Sequence, residues 1–474
     1  MELPDLLLRW LAVALHGLLA VIGAVHALLY KRDPRSALGW MVVCLAIPFL
    51  GPLGYYMFGI NRVRTRAKKL RGGQFRIGYE SGDTISEEDL AEHEPGRGHI
   101  GAVVSLRPLL GDNSVSALHN GEEAYPAMLE SIHTAERQVL LSSYIFENNE
   151  TGRRFVDALT AAGDRGVSVR VLVDGIGELY SWPRISRLIA RRGLRVARFL
   201  PPSLFPPALH LNLRTHRKIL LTDGRVGYTG GMNIGDRHVV GEDGRRRVVD
   251  MHFRLEGPVV RQLADAFWDD WRFATGEPPE ETPEPDWSTA PGRKRCRVIT
   301  DGPNEDLDRI ALVMQGAIAD ARRSVWIMTP YFLPSREQVA LLQAAALRGI
   351  EVNVILPAKN NLFYVHWATR NALLELLQWG VHIYYQPGPF VHTKLFLIDD
   401  DYCQIGTANV DPRSLRLNFE LAVEIFDSSF ARSMIEHMQV TRARSRAVGL
   451  REIADRSLPV RFRDAVAWLF SPYL

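Results

Sequence analysis

The chain has three cysteines among 474 residues, Cys44, Cys296 and Cys403, and no two stand at a metal-ligand spacing. So few thiols exclude a disulfide framework and fit a reducing compartment; each reads as a small buried hydrophobe. Net charge is also scarce, at a formal +3. Nothing global points to a nucleic-acid partner, and any basic footprint must be local. No cluster of His, Asp and Glu has metal-site spacing, so the sequence calls for no metal and no cofactor. The length predicts two or three domains.

What the average hides is local. Leu6 to Tyr30 is apolar except for Arg9, His16 and His26, and Ala37 to Ile60 carries no charge. Each run has about the 20 residues needed to cross a bilayer. The short polar stretch "KRDPRS" between them predicts a membrane hairpin over 1–60. A cleaved signal peptide fits poorly, because "MELPD" is acidic where a basic start is expected. Pro48, Gly51 and Pro52 break the second run, which predicts a kinked or partly re-entrant helix. Arg62, Arg64, Arg66, Lys68, Lys69 and Arg71 follow it. By the positive-inside rule they place everything downstream in the cytoplasm, against the weaker pull of Lys31, Arg32 and Arg35. The same cluster suits contact with anionic lipid headgroups.

A basic segment and linker over 61–98 leads to the rest of the chain. The Pro-rich, acidic stretch 274–292 then divides it into halves at 99–273 and 293–474. The halves repeat each other. "RQVLLSSYIFEN", a helical spacer and "RGVSVRVLVDG" in the first match "RSVWIMTPYFLP", a helical spacer and "RGIEVNVILPA" in the second. Each reads as strand, helix, strand, a unit that builds a parallel sheet.

Each half then reaches a strand spoiled by charge. His216, Lys218, Asp223, Gly230 and Asn233 recur as His392, Lys394, Asp399, Gly406 and Asn409, every one displaced by 176 residues. His-x-Lys alone carries no information; two full copies without a gap do. Period 2 puts His and Lys on one face and Asp on the other, in a turn. Asp223 and Asp399 therefore read as turn-holding residues or as partners of Lys. A centre with two His, two Lys and two Asn is electropositive and rich in donors. It suits a phosphoryl group in a charged transition state, with one histidine attacking and the other moving protons. A nucleophilic imidazole needs its other nitrogen held by an acceptor, and Asp250 and Glu420 are the candidates. His252 lies near Asp250 in sequence and can reach the site; Arg413 is a further phosphate contact or a solvent-facing residue. The closing "LPVRFRDAVAWLFSPYL" reads as an interfacial helix or as packing against the second half.

The double His-x-Lys-x4-Asp pattern resembles the signature of the phospholipase D superfamily. Together with "LGWMVVCLAIPFLGPLGYYMFG", "GGMNIGD" and "NVDPRSLRLNFE", it is similar to the bacterial cardiolipin synthases. The resemblance implies an α/β fold of two phospholipase D-like α/β/α sandwich halves forming a pseudo-dimer, behind a two-helix membrane hairpin. It implies that His216, Lys218, Asp223, His392, Lys394 and Asp399 form the catalytic signature. It also implies transfer of a phosphatidyl group between two phosphatidylglycerols through a phosphatidyl-histidine, with glycerol released. The first-half histidine is the favoured nucleophile. No cofactor, nucleic acid or obligatory protein partner is implied, and the place is the bacterial inner membrane. The motifs describe the donor step only. Water as acceptor would make a phospholipase D, serine a phosphatidylserine synthase, and the same constellation cleaves nucleic acid in nucleases. The chain departs from the synthases at Val248-Val249-Asp250, where Trp-Arg-Asp is common, which bears on headgroup recognition.

Overall fold

The computed structural model describes residues 3–31, 34–59, 96–204, 207–208, 213–239, 247–287, 289–302 and 308–471. The expectations on Arg32 and on the basic cluster from Arg62 to Arg71 fall outside these residues. The chain forms two compact units, Met1–Gly73 and Gln74–Leu474.

In the first unit, Leu3–Tyr30 is one helix, and its stretch Leu6–Tyr30 is long and apolar enough to cross a membrane. The second apolar run differs from a plain span. It is a helix over Pro34–Ala46, a short one over Leu50–Gly54 and a π-turn over Tyr55–Gly59. Pro48 cannot donate to the helical ladder and Phe49 takes φ 57°, so the helix breaks there. Small residues let the pieces approach: a Cβ on Gly51 would lie 2.1 Å from the Val43 carbonyl oxygen. Ala27, Cys44 and Tyr55 are buried between them.

In the second unit the strands are, in chain order, β1 (Leu110–His119), β2 (Gln138–Ser143), β3 (Ser168–Asp174), β4 (Arg195–Phe199), β5 (Ser203–Leu204), β6 (Pro207–Ala208), β7 (Ile219–Thr222), β8 (Val226–Gly230), β9 (Val248–Val249) and β10 (Met251–Glu256). The second half adds β11 (Lys294–Asp301), β12 (Ser324–Met328), β13 (Glu351–Pro357), β14 (His382–Gln386), β15 (Phe390–Val391), β16 (Leu395–Ile398), β17 (Tyr402–Gly406), β18 (Glu420–Phe426) and β19 (Arg446–Ala447). Fifteen of them make one sheet in the order β19-β14-β13-β12-β16-β17-β18-β11-β1-β10-β8-β7-β2-β3-β4. The order reads the same outward from the β1–β11 contact in both directions, apart from β19 at one edge. β2, β3 and β4 are parallel, as are β12, β13 and β14, while the remaining pairs are antiparallel.

Strands such as "QVLLSS" are buried along their whole length because helices cover both faces. Val139, Leu141, Val169 and Val171 pack with the helices Asn120–Thr134 and Glu150–Asp164. The helix Val259–Thr275 lies against β4, β7 and β10. In the second half, Val325, Ile327, Val352 and Val354 pack with Arg309–Asp320 and Arg336–Leu347. The acidic linker has no regular element but is strapped to the first half. Glu280 pairs with Arg170, and Trp268 and Trp271 donate to Thr282 and Glu277 at 3.0 Å each.

A two-histidine candidate active site

His216 and Lys218 lie just before β7, and His392 and Lys394 just before β16, rather than within the strands. The lead-in segments pair across the halves instead of within the sheet. The His216 amide donates to the Phe419 carbonyl at 2.8 Å, and the His392 amide to the Val249 carbonyl at 2.8 Å. In each case the acceptor is the residue before a carboxylate, so the crossing seats Glu420 under His216 and Asp250 under His392. Each dyad thus takes its histidine from one half and its carboxylate from the other.

The two dyads open into one cleft of about 1660 Å³, lined from both halves. His392 Nδ1 donates to Asp250 Oδ2 at 2.9 Å, which fixes the tautomer and leaves Nε2 for chemistry. His216 Nδ1 is 3.1 Å from Glu420 Oε1, but out of line for a hydrogen bond. Lys218 Nζ donates to the His216 carbonyl at 2.6 Å, and Lys394 to the His392 carbonyl. Lys394 Nζ also sits 3.0 Å from Nδ1 and 3.2 Å from Nε2 of His392. Tyr144 lies 4.5 Å from the His216 ring and Tyr331 6.3 Å from the His392 ring, centroid to centroid.

Burial sets the charge states. It holds His216 well below the usual imidazole range, helped by Lys218, Lys394 and Arg413. Burial and Lys394 bring His392 to about 4, against the pull of Asp250. Burial pushes the Asp250 carboxyl up, but the hydrogen bond from His392 and the charges of His392, Lys394 and His238 together outweigh it and keep that carboxyl at about 2. Glu420 is raised by burial despite Lys218, and Lys218 is lowered by burial despite Glu420. Lys394 is brought by burial to about 7. Two neutral imidazoles beside two buried ammonium groups make a basin for a phosphate anion, whose arrival offsets the positive field.

The signature aspartates are not in this cleft. Asp223 sits at the far end of β7, at φ 54°, and accepts the amides of Glu136, Arg137 and Gln138 at 2.8–2.9 Å. Asp399 does the same at φ 54° for Arg322, Arg323 and Ser324 at 2.7–3.2 Å. A four-residue strand separates each from its lysine, so neither partners it. Asn233 accepts the Ile145 amide at 3.0 Å, and Asn409 donates to Ser414 Oγ at 3.1 Å; both line the cleft. His252 is buried on β10, and Arg413 lines the cleft. At β9, Val248 lines the cleft while Val249 pairs with β15.

Sequence reasoning passed over Arg217. It is buried and donates to the Glu420 carbonyl at 2.9 Å, to Asp270 at 2.8 Å and to the Asp301 carbonyl at 3.0 Å. Its parity, opposite to His216 and Lys218, is the signal that it faces the other way and stitches the halves. The tyrosines were legible too, since Tyr144 and Tyr331 recur after β2 and β12.

Duplicated halves, shared cleft and crossed dyads define a phospholipase D-like fold. A solved phosphatidylserine synthase of Haemophilus influenzae has it, with a TM-score of 0.61 at 14% identity over 76% of this chain and 95% of that one. The family model described as cardiolipin synthase, PLD-like domain, matches residues 128–271 and 314–441, and a phospholipase D-nuclease N-terminal model matches 18–59. The major cardiolipin synthase ClsA of Bacillus subtilis is 31% identical over 94% of this chain and 95% of its own. Cardiolipin synthase A of Pseudomonas fluorescens is 31% identical over 98% of each. The chain belongs to the phospholipase D-like cardiolipin synthase family.

Proposed function

We propose that this protein is a cardiolipin synthase that moves a phosphatidyl group from one phosphatidylglycerol to another. The observation that carries the reading is the pair of crossed histidine–carboxylate dyads facing each other across one cleft. His216 attacks the donor phosphorus through Nε2. Its neighbours are cationic and its carboxylate contact is loose, so it stays neutral and nucleophilic. Neutral in the free cleft, His392 takes up a proton with the arriving phosphate anion, Asp250 stabilising the imidazolium, and gives that proton to the departing glycerol oxygen as the phosphorus–oxygen bond breaks. The hydroxyl of the second phosphatidylglycerol then attacks the phosphatidyl-histidine and returns a proton to His392. The phosphorus–nitrogen bond breaks and cardiolipin leaves. Lys218, Lys394, Asn233 and Asn409 line or underlie the place where charge builds up; Asp250 and Glu420 orient the rings.

The repeats 99–273 and 293–474 each supply one histidine and one carboxylate. The apolar N-terminal segment anchors the enzyme as a multi-pass protein of the bacterial inner membrane, with the cleft on the cytoplasmic side. The helix Leu458–Leu469 supports a surface resting on lipid: Asp464 is buried against Arg370, whereas Leu458, Phe462, Leu469 and Phe470 are exposed. The test is purified protein with labelled phosphatidylglycerol. Cardiolipin and glycerol in equal amounts are expected. Phosphatidic acid as the main product would make it a hydrolase, and no turnover would end the reading.

A further inference from the structure

Two polar side chains in the cleft are used by neither dyad. His238 closes the 3-10 turn Asp236–His238 and is 1% exposed. Among the described residues neither of its ring nitrogens has a hydrogen-bond partner. Arg247 stands immediately before β9, and its Nε and one terminal nitrogen are buried, again without a partner among the described residues. Both residues line the cleft, and the His238 turn packs against β9, the strand that leads into Asp250. The charge of Asp250 acts on His238, and Arg247 precedes β9, the strand paired with the β15 lead-in to His392, so both belong to the His392 side.

Arg247 is half-buried, and buried guanidinium nitrogens without an acceptor among the described residues are costly, because such groups are normally paired. The proposed reaction supplies an acceptor at this place. In the donor step the group beyond His392 is the leaving glycerol. In the acceptor step the hydroxyl at His392 belongs to a glycerol that ends in a second phosphodiester, one that does not react. That anion cannot share the lysine basin with the reacting phosphorus, because like charges at contact repel strongly. It falls one glycerol beyond His392. Counted forward from Asn409 and back from Glu420, the places in the second half that match His238 and Arg247 hold Ser414 and Leu417, so the feature exists on one side only. One-sidedness is what telling acceptor from donor requires.

We propose that His238 and Arg247 form an anion subsite that takes the unreacted phosphodiester of the acceptor phosphatidylglycerol. The proposal rests on the phosphatidyl-transfer reading above. It makes the chain select a charged acceptor over neutral glycerol or water, and it gives Arg247 the headgroup contact that Val249 cannot make.

The test uses the full chain with phosphatidylglycerol as donor and two competing acceptors, a second phosphatidylglycerol and labelled glycerol. The first gives cardiolipin; the second gives labelled phosphatidylglycerol by exchange. For Arg247→Gln the ratio of cardiolipin formation to exchange is expected to fall roughly 10- to 100-fold, through the KM for the lipid acceptor. His238→Gln lowers it less, and Arg247→Lys, which keeps the charge, recovers part of it. Because a ratio is read, a reduced folded fraction does not mimic the effect. An unchanged ratio, or both reactions falling together, overturns the subsite. A wild-type chain that turns over no phosphatidylglycerol overturns the transfer reading beneath it.

Discussion

The two dyads share a backbone and differ in chemistry. Both histidine amides cross to the other half at 2.8 Å, and both lysines fold onto their own histidine carbonyl. Yet Asp250 is ionised and aligned with His392, whereas Glu420 is raised by burial and lies off line from His216. Glu420 also accepts from Thr407 at 2.5 Å, a neutral partner. A duplicated site begins with two equal histidines, and in the proposed reaction unequal carboxylates would give them separate work. The firm dyad suits the group that must carry a proton; the loose one suits the group that must keep a lone pair.

The largest effect breaks the comparison outright. Replacing either histidine by Ala or Asn is expected to lower turnover by roughly 10⁴ or more, since the two act as a unit. The roles separate in a quenched reaction with labelled lipid. His392→Asn retains label bound to protein, and His216→Asn retains none. Label found only in the His216 variant would exchange the assignments.

A smaller effect sharpens it. Asp250→Asn removes the charge and the acceptor geometry that hold His392, and an equivalent loss in a serine-protease triad costs about 10⁴. Glu420→Gln exchanges a carboxyl already driven toward its neutral form for another neutral group, and about 10² is expected. Equal losses would mean that the two carboxylates do the same job.

The titration of Lys394 gives a third test. Its pKa is brought to about 7, so its charge is present below neutral pH and is lost as pH rises through 7. The free enzyme then binds phosphate more weakly, and kcat/KM falls on the alkaline side. Lys394→Arg keeps the charge, so its profile, though lower, extends to higher pH. Asp250, at about 2, contributes no limb near neutrality. A wild-type profile flat from pH 6 to 9 would remove Lys394 from substrate binding.

The repeat, the parallel units and the histidine–lysine pairs were legible because they are local and occur twice. Asp250 and Glu420 were legible only as residue types. Nothing in spacing tells that Asp250 serves a histidine 142 residues away in the other half. That pairing follows from β9 lying beside β15, as the pairing of Glu420 with His216 follows from Thr215 bridging to Phe419, contacts that no local pattern encodes. The single sheet was hidden for the same reason: β1 and β11 are each ordinary strands, and it is their pairing that makes one sheet of two. The second apolar run had its break written in Pro48 and Gly51, although composition alone made it look like a full span.

The smallest effect lies where the halves are alike. Asp223 and Asp399 each cap the start of a central parallel strand from a left-handed turn that Asn also tolerates. Asp→Asn therefore keeps the backbone and one acceptor oxygen and loses the charge-assisted part of three amide bonds. A cost of about 1 kcal/mol is expected in either half, read as a fall of a few degrees in Tm, with kcat within a few-fold of wild type. Asp399 should cost slightly more, because Arg97 approaches it at 3.7 Å, a partially buried pair without a counterpart at Asp223 among the described residues. A loss of activity comparable to that of the histidine variants, at unchanged Tm, would return these aspartates to the chemistry. A matched loss of stability would confine them to holding β2 and β12 in place beneath it.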